Sequence, residues 1–88
     1  MLTDTKDAAT RRLAYIEGHL GGVRKMIEED RYCVDVIRQT YAIRRALQKL
    51  EGVLIDGHLR SCVPEAYREG RDDQMREELK EIFEISEK

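Results

Sequence analysis

From Tyr32 to Cys62 the chain reads as one unbroken helix, and side chains able to bind a metal stand at its two ends. Val36, Ile43, Leu47, Leu50 and Leu54 recur at helical spacing, and Val34, Ile37 and Tyr41 widen the stripe early on. A stripe that wide suits a helix buried on more than one side. Cys33 opens the helix. His58 and Cys62 close it, four apart and therefore one turn from each other on one face. Cys33 precedes His58 by 25 positions, and 25 helical residues span roughly 37 Å. No single metal ion or disulfide joins such points within one helix. Antiparallel pairing with a second copy, crossing near Ala46, does join them. Cys33 of one chain then faces His58 and Cys62 of the other, twice per dimer.

The remaining chain continues the helical pattern. A first helix over about 6–29 carries Leu13, Ile16, Leu20, Val23 and Ile27 on one stripe, interrupted by Gly18, Gly21 and Gly22. Each glycine costs about 1 kcal/mol relative to alanine in a helix interior. Close approach of another helix at these glycines is the expected compensation, with a kink as the alternative. Glu29-Asp30-Arg31 is a polar break. Pro64 lacks an N–H and disfavours helix at the residue before it, so the second helix is expected over 32–62. Glu65 to Gly70 reads as a connector or a single turn. Asp72 or Asp73 can cap a third helix over 72–86 with Met75, Leu79, Ile82 and Phe83, running into the tail Ser86-Glu87-Lys88. The expected class is all-α, three helices in a single domain over 1–88, with no internal repeat.

At 88 residues, 39% of them charged and none Trp, a monomer buries only a thin core. An obligate oligomer is the natural remedy. No apolar run approaches the roughly 18 residues of a membrane span, and the polar start Met1 to Asp7 has no signal-peptide core. The expected location is therefore the cytoplasm, where two cysteines serve as ligands, redox sensors or buried core rather than as a structural disulfide.

Alone, the His58–Cys62 pair is a weak signal, because a helical Cys is commonly a small buried hydrophobe and a His a satisfied polar residue. Its antiparallel symmetry with Cys33 strengthens it. An S₂N set suits a soft metal, Cu(I) above all, whereas zinc wants a fourth ligand or a water. His19 reads as a surface or packing residue. The net charge is −2, yet basic residues cluster at Arg11-Arg12, Arg24-Lys25 and Arg44-Arg45 with Lys49. Each cluster alone is a solvated face; repetition in an oligomer builds a basic surface. No phosphate loop, G-x-S-x-G or H-E-x-x-H points to an enzyme or a small-molecule substrate. Glu77, Glu78 and Glu81 read as solvated acids.

These segments resemble the copper-sensitive operon repressors, a family within a larger group of small all-helical bacterial transcriptional repressors. Arg12 to Val23, R-L-A-Y-I-E-G-H-L-G-G-V, is similar to the family's R-L-x-R-I-E-G-Q-x-R-G-I. Met26 to Val36, Gln39 to Leu50 and His58 to Val63 also match. The resemblance implies an antiparallel dimer with a four-helix-bundle core, pairing into a tetramer. It implies Cu(I) held by Cys33 of one subunit and His58 and Cys62 of the other, with Tyr32 and Glu78 supporting the ligand His. It also implies operator DNA bound by the metal-free form and released on Cu(I) binding, derepressing copper-efflux genes. Arg12, Arg44 and Lys49 match the family's basic positions, with Arg11, Arg24, Lys25 and Arg45 as possible substitutes. Ala14, Tyr15, His19 and Gly21 depart from it. Nickel and cobalt relatives use a further His near the N-terminus, absent before His19 here; formaldehyde sensors want Pro where Leu2 stands; persulfide sensors usually lack the His. A thiol redox or persulfide sensor of the same fold, bridging Cys33 to Cys62 of the other chain, remains the alternative, and a structural helical oligomer a third reading.

Overall fold

The computed structural model describes residues 1–86; Glu87 and Lys88 of the expected charged tail lie outside them. Every element among the described residues is helical. α1 spans Thr3–Glu28 and α2 spans Cys33–Gly57. A π-helical turn covers His58–Cys62, followed by α3 at Val63–Arg68 and α4 at Asp72–Ser86. Because α2, the π turn and α3 follow one another without a break, the chain forms three rods.

α1 begins earlier than expected, at Thr3, and packs antiparallel on α2: Thr5 meets Gly57, and His19 meets Gln39. The hairpin turns through Asp30, whose φ of 55° is left-handed. The Asp30 N–H donates to the Ile27 carbonyl and the Arg31 N–H to that of Met26. This doubly bonded ending satisfies carbonyls that a helix terminus leaves open. Gly70, with φ 73°, ends α3 in the same way, as Gly70 and Arg71 donate to Tyr67 and Ala66. Arg71, not Asp72 or Asp73, precedes α4, and its carbonyl accepts from Met75. The two aspartates lie inside the first turn, where negative charge complements the helix dipole.

Pro64 does not end the second rod, contrary to expectation. In an α-helix its ring would collide with the carbonyl four residues back and leave that carbonyl without a donor. Here the Val63 N–H reaches five residues back to the His58 carbonyl. The wider π turn makes room, and Pro64 sits near the start of α3, where a missing N–H is tolerated. The expected connector from Glu65 is accordingly helical up to Arg68.

Ile16, Val23 and Ile43 form the buried cluster, with Val36, Ala46 and Leu50 packed on it. The rest of the expected α1 stripe stands out in solvent: Leu13 is 45% exposed, Leu20 50% and Ile27 60%. Ile37, Tyr41, Leu47 and Leu54 on α2 are exposed too. The helix-one glycines approach nothing: a methyl built on Gly18, Gly21 or Gly22 finds no neighbour within 4 Å in this chain, and α1 runs through them as one helix. The close approach falls instead at Gly57, where an added Cβ would lie 2.5 Å from Thr5 Cγ2.

The resulting body measures 56 × 28 × 13 Å, with a radius of gyration of 17.3 Å. A compact domain of this length has a radius near 12 Å. The accessible surface is 7100 Å², against about 5,400 Å² for a folded monomer of this mass. α1 and α2 make a single layer that leaves apolar side chains of both helices in solvent.

Candidate metal centre

The π turn sets the two C-terminal donors. His58 is its first residue and Cys62 its last. The His58 ring is three-quarters buried, with Nε2 lying 3.5 Å from Glu78 Oε2 on α4. That nitrogen is sealed from solvent and makes no hydrogen bond. Gln74, one turn earlier on α4, donates to Glu78 Oε1 at 3.2 Å and steadies the carboxylate. The Cys62 thiol is exposed, with Ser61 Oγ 3.7 Å from its sulfur. Ser61 Oγ in turn donates to the Gly57 carbonyl at 2.8 Å.

The other donor is elsewhere. Cys33 is the first residue of α2, at the opposite end of that helix from His58, and its thiol is exposed. Tyr32 immediately precedes it and is 66% exposed. Thus the chain brings Glu78 to His58 but keeps Tyr32 and Cys33 away from both. Among the described residues, no three His, Cys, Asp or Glu side chains come together as a metal site. What the fold offers is two separated sets of candidate donors: a thiol at the start of α2, and a thiol with an imidazole past its end. An imidazole whose buried nitrogen faces a carboxylate, beside a thiol one turn away, is a donor set that fits a soft metal, since a carboxylate on the second ring nitrogen orients a ligating histidine.

The π turn is tied to α1 by residues that the sequence did not single out. Arg60 donates through Nε to Asp56 Oδ2 at 2.9 Å, through Nη1 to Asp4 Oδ2 at 3.1 Å, and through Nη2 to Thr5 Oγ1 at 3.2 Å. The bonds to Asp4 and then Asp56 hold the guanidinium above its ordinary pKa. The Asp56–Arg60 pair is readable from its i, i+4 spacing. The contacts to Asp4 and Thr5 appear only once α1 folds back.

The basic candidates separate into two groups. Arg11, Arg12 and Tyr15 of α1 face Arg45 and Lys49 of α2 across a groove of about 540 Å³ floored by Ala42 and Ala46. None of these four cations forms an ion pair among the described residues. Arg44 instead lies over the Tyr41 ring, 5.4 Å from its centroid. Lys25 pairs with Glu29 at 3.9 Å, and Arg24 borders a depression shared with Glu17 and Glu28. His19 lies between the two helices on an exposed edge: its Nε2 is 2.7 Å from Gln39 Oε1, and its ring and that of Tyr15 meet edge to face.

Residues 5–87 match the family described as metal-sensitive transcriptional repressor. The chain is 41% identical, over 89% of its length and 67% of the relative's, to the copper-sensing transcriptional repressor CsoR of Mycobacterium ulcerans. It is 38% identical to the protein of that name from Bacillus subtilis, over 89% of this chain and 77% of the relative. Among solved structures, the copper-sensing repressor CsoR with Cu(I) from Geobacillus thermodenitrificans superposes with a TM-score of 0.90 and 35% identity, covering 100% of this chain and 92% of that one. The nickel-responsive transcriptional regulator InrS superposes with a TM-score of 0.75 and 37% identity, covering 90% and 89% respectively.

Proposed function

The chain belongs to the metal-sensitive transcriptional repressor family, and from that premise we propose that it is a Cu(I)-responsive repressor. The metal-free protein binds operator DNA, and Cu(I) binding lowers that affinity and releases copper-efflux genes from repression. The observation that carries this reading is the division of the donors: Cys33 stands at one end of α2, His58 and Cys62 at the other, and among the described residues neither end gathers a complete metal-binding group. Two chains with their α2 helices antiparallel complete two S₂N sets. Three donors of that kind suit Cu(I), which accepts soft thiolates and low coordination numbers. The exposed Leu13, Leu20, Ile37, Leu47 and Leu54 supply the apolar surface for such a dimer, and dimers pair into the tetramer. The family is one of repressors and not of enzymes.

Each residue then has a task. Cys33, His58 and Cys62 hold the metal. Glu78 faces His58 Nε2, fixing which ring nitrogen is left for Cu(I). Tyr32, beside Cys33, reaches the same centre from the other chain. Arg11, Arg12, Arg45 and Lys49 contact phosphates across their groove, with Arg44, Arg24 and Lys25 flanking it. The setting is the cytoplasm, where thiols stay reduced; no helix among the described residues is long and apolar enough to cross a membrane.

The test is an anaerobic Cu(I) titration of reduced protein against a competing chelator. DNA binding follows with and without metal, on a duplex selected from a random-sequence pool by repeated binding. About one Cu(I) per chain and lost DNA affinity are expected. Tight stoichiometric Zn(II) binding without Cu(I) preference argues against it. The exposure of both thiols favours one second reading, a sulfur or redox sensor linking Cys33 to Cys62 of the other chain. His58→Ala separates them: it abolishes the copper response and leaves thiol crosslinking intact.

A further inference from the structure

Arg60 lies between the two donors of the π turn and bonds across to the first turn of α1. Its three nitrogens go to three different residues, Asp56 on its own rod and Asp4 and Thr5 on α1. The α1 end is itself locally braced: Asp4 Oδ1 accepts from the Thr5 N–H at 2.9 Å, while Oδ2 takes Arg60. Thr5 is 2% exposed, and its side chain rests on the bare backbone of Gly57. The α1 terminus therefore touches both Gly57, just before His58, and Arg60, just before Ser61 and Cys62. A rearrangement of the π turn would displace groups that the start of α1 touches. Arg11 and Arg12 follow on the same helix, with Arg12 roughly 12 Å along the axis from Asp4, and both line the basic groove.

We propose that Arg60, through Asp4 and Thr5, is the positioning residue that transmits occupancy of the His58–Cys62 half-site to α1 and so to the Arg11–Arg12 side of the DNA groove. This rests on the proposed repressor function. Arg60 is neither one of the proposed metal ligands nor a residue of the basic groove. It makes the register of the π turn and the placement of α1 a single structural variable. Coupling between two ligands needs such a two-state element, biased by both. A guanidinium suits the task because its planar fork holds several acceptors at fixed angles, which an ammonium does not.

The test compares wild type with Arg60→Ala, Arg60→Lys and the milder Asp4→Asn. Three quantities are measured on each full-length protein: DNA affinity without metal, Cu(I) affinity and stoichiometry, and the fold loss of DNA affinity on saturation with Cu(I). Coupling free energies in such systems correspond to about 5–150-fold in affinity. Arg60→Ala and Asp4→Asn are expected to shrink the wild-type fold loss at least fivefold or to near one. Metal-free DNA affinity and Cu(I) stoichiometry should stay within threefold, with helix content unchanged by circular dichroism. Arg60→Lys should recover part of the coupling. The double variant Arg60→Ala, Asp4→Asn should lose no more than Arg60→Ala alone, because both act on one link. A fold loss within twofold of wild type in Arg60→Ala and Asp4→Asn overturns the proposal. So does loss of Cu(I) binding or helix content in both, which would make the contact merely structural. If wild type itself loses no DNA affinity with Cu(I), the repressor reading fails first and takes this coupling with it.

Discussion

Gly57 shows how one missing methyl lets α1 seat against the turn that carries His58 and Cys62. A Cβ there would meet Thr5 Cγ2 at 2.5 Å and Oγ1 at 2.6 Å, distances that force the Thr5 side chain or the helix carrying it to shift. Overpacking of this kind costs about 1–3 kcal/mol. Gly57→Ala is therefore expected to lower stability by that amount in urea unfolding at fixed protein concentration, even though alanine is the better helix former. Thr5→Ala in the same chain should return part of the loss, because it removes both crowding atoms. Full stability in Gly57→Ala would show that the α1 terminus yields at no cost. His58, Cys62 and Cys33 stand out in the sequence as candidate donors because side chains able to bind a metal at the two ends of one helix are conspicuous, and their placement at opposite ends of α2 follows from that helix alone. Gly57, Thr5, Asp4 and Arg60 do not stand out. Their importance comes from meeting across a hairpin, and each alone is an ordinary surface or helix residue. The helix-one glycines carried the opposite lesson: three in one helix suggested close packing, and the chain alone packs nothing there.

The π turn is where helix rules and the fold part company. Proline reads as a stop because an α-helix has no place for its ring. That rule is local, and the chain satisfies it by widening a single turn instead of ending the rod. A π turn changes how far round the axis four residues carry the chain, so it rotates Cys62 relative to His58. Pro64→Ala removes the ring that holds this register. The variant is expected to change stability by no more than about 1 kcal/mol, because Pro64 already sits where a proline is tolerated, and to bind Cu(I) at least tenfold more weakly in a chelator competition. Unchanged Cu(I) affinity would mean that the π register does not shape the site. Gly70 is the second backbone constraint: at φ 73° an alanine costs about 1–2 kcal/mol, so Gly70→Ala should loosen the turn that presents α4 and Glu78 to His58. Helix number and approximate limits were readable from apolar spacing, since three stripes separated by Glu29-Asp30-Arg31 and by the Gly70 region leave few other arrangements. The exact termini were not, because α1 starts at Thr3 through contacts with the far end of α2.

The excess surface and the thinness of the fold have one physical resolution. A chain 13 Å thick with a surface of 7100 Å² exposes about 1,700 Å² more than a compact monomer of its mass, and Leu13, Leu20, Ile27, Ile37, Leu47 and Leu54 of α1 and α2 are among its exposed side chains. Its stability should therefore depend on protomer concentration. Leu47→Glu, next to the expected crossing at Ala46, should give a lighter species by light scattering and a lower melting temperature; an unchanged mass would place the interface elsewhere. If the dimer is antiparallel along α2, each metal site draws on two chains, and mixing variants tests this directly. Cys33→Ala keeps a His58–Cys62 half-site but lacks the opposing thiol. The double variant His58→Ala, Cys62→Ala keeps only Cys33. Neither homo-oligomer completes a site. In a mixed dimer, one site takes Cys33 from the double variant and His58 and Cys62 from Cys33→Ala, while its symmetry mate has none of the three. Unfolding and reassembling the two together should thus restore Cu(I) binding to half the wild-type sites in each mixed dimer, read by chelator competition on heterodimers isolated with two different affinity tags. Within one chain the donors stay roughly 37 Å apart along the helix, against metal–ligand distances of about 2.0–2.3 Å, so an intrachain site cannot produce recovery. Mixed dimers that bind no Cu(I) would falsify the shared centre.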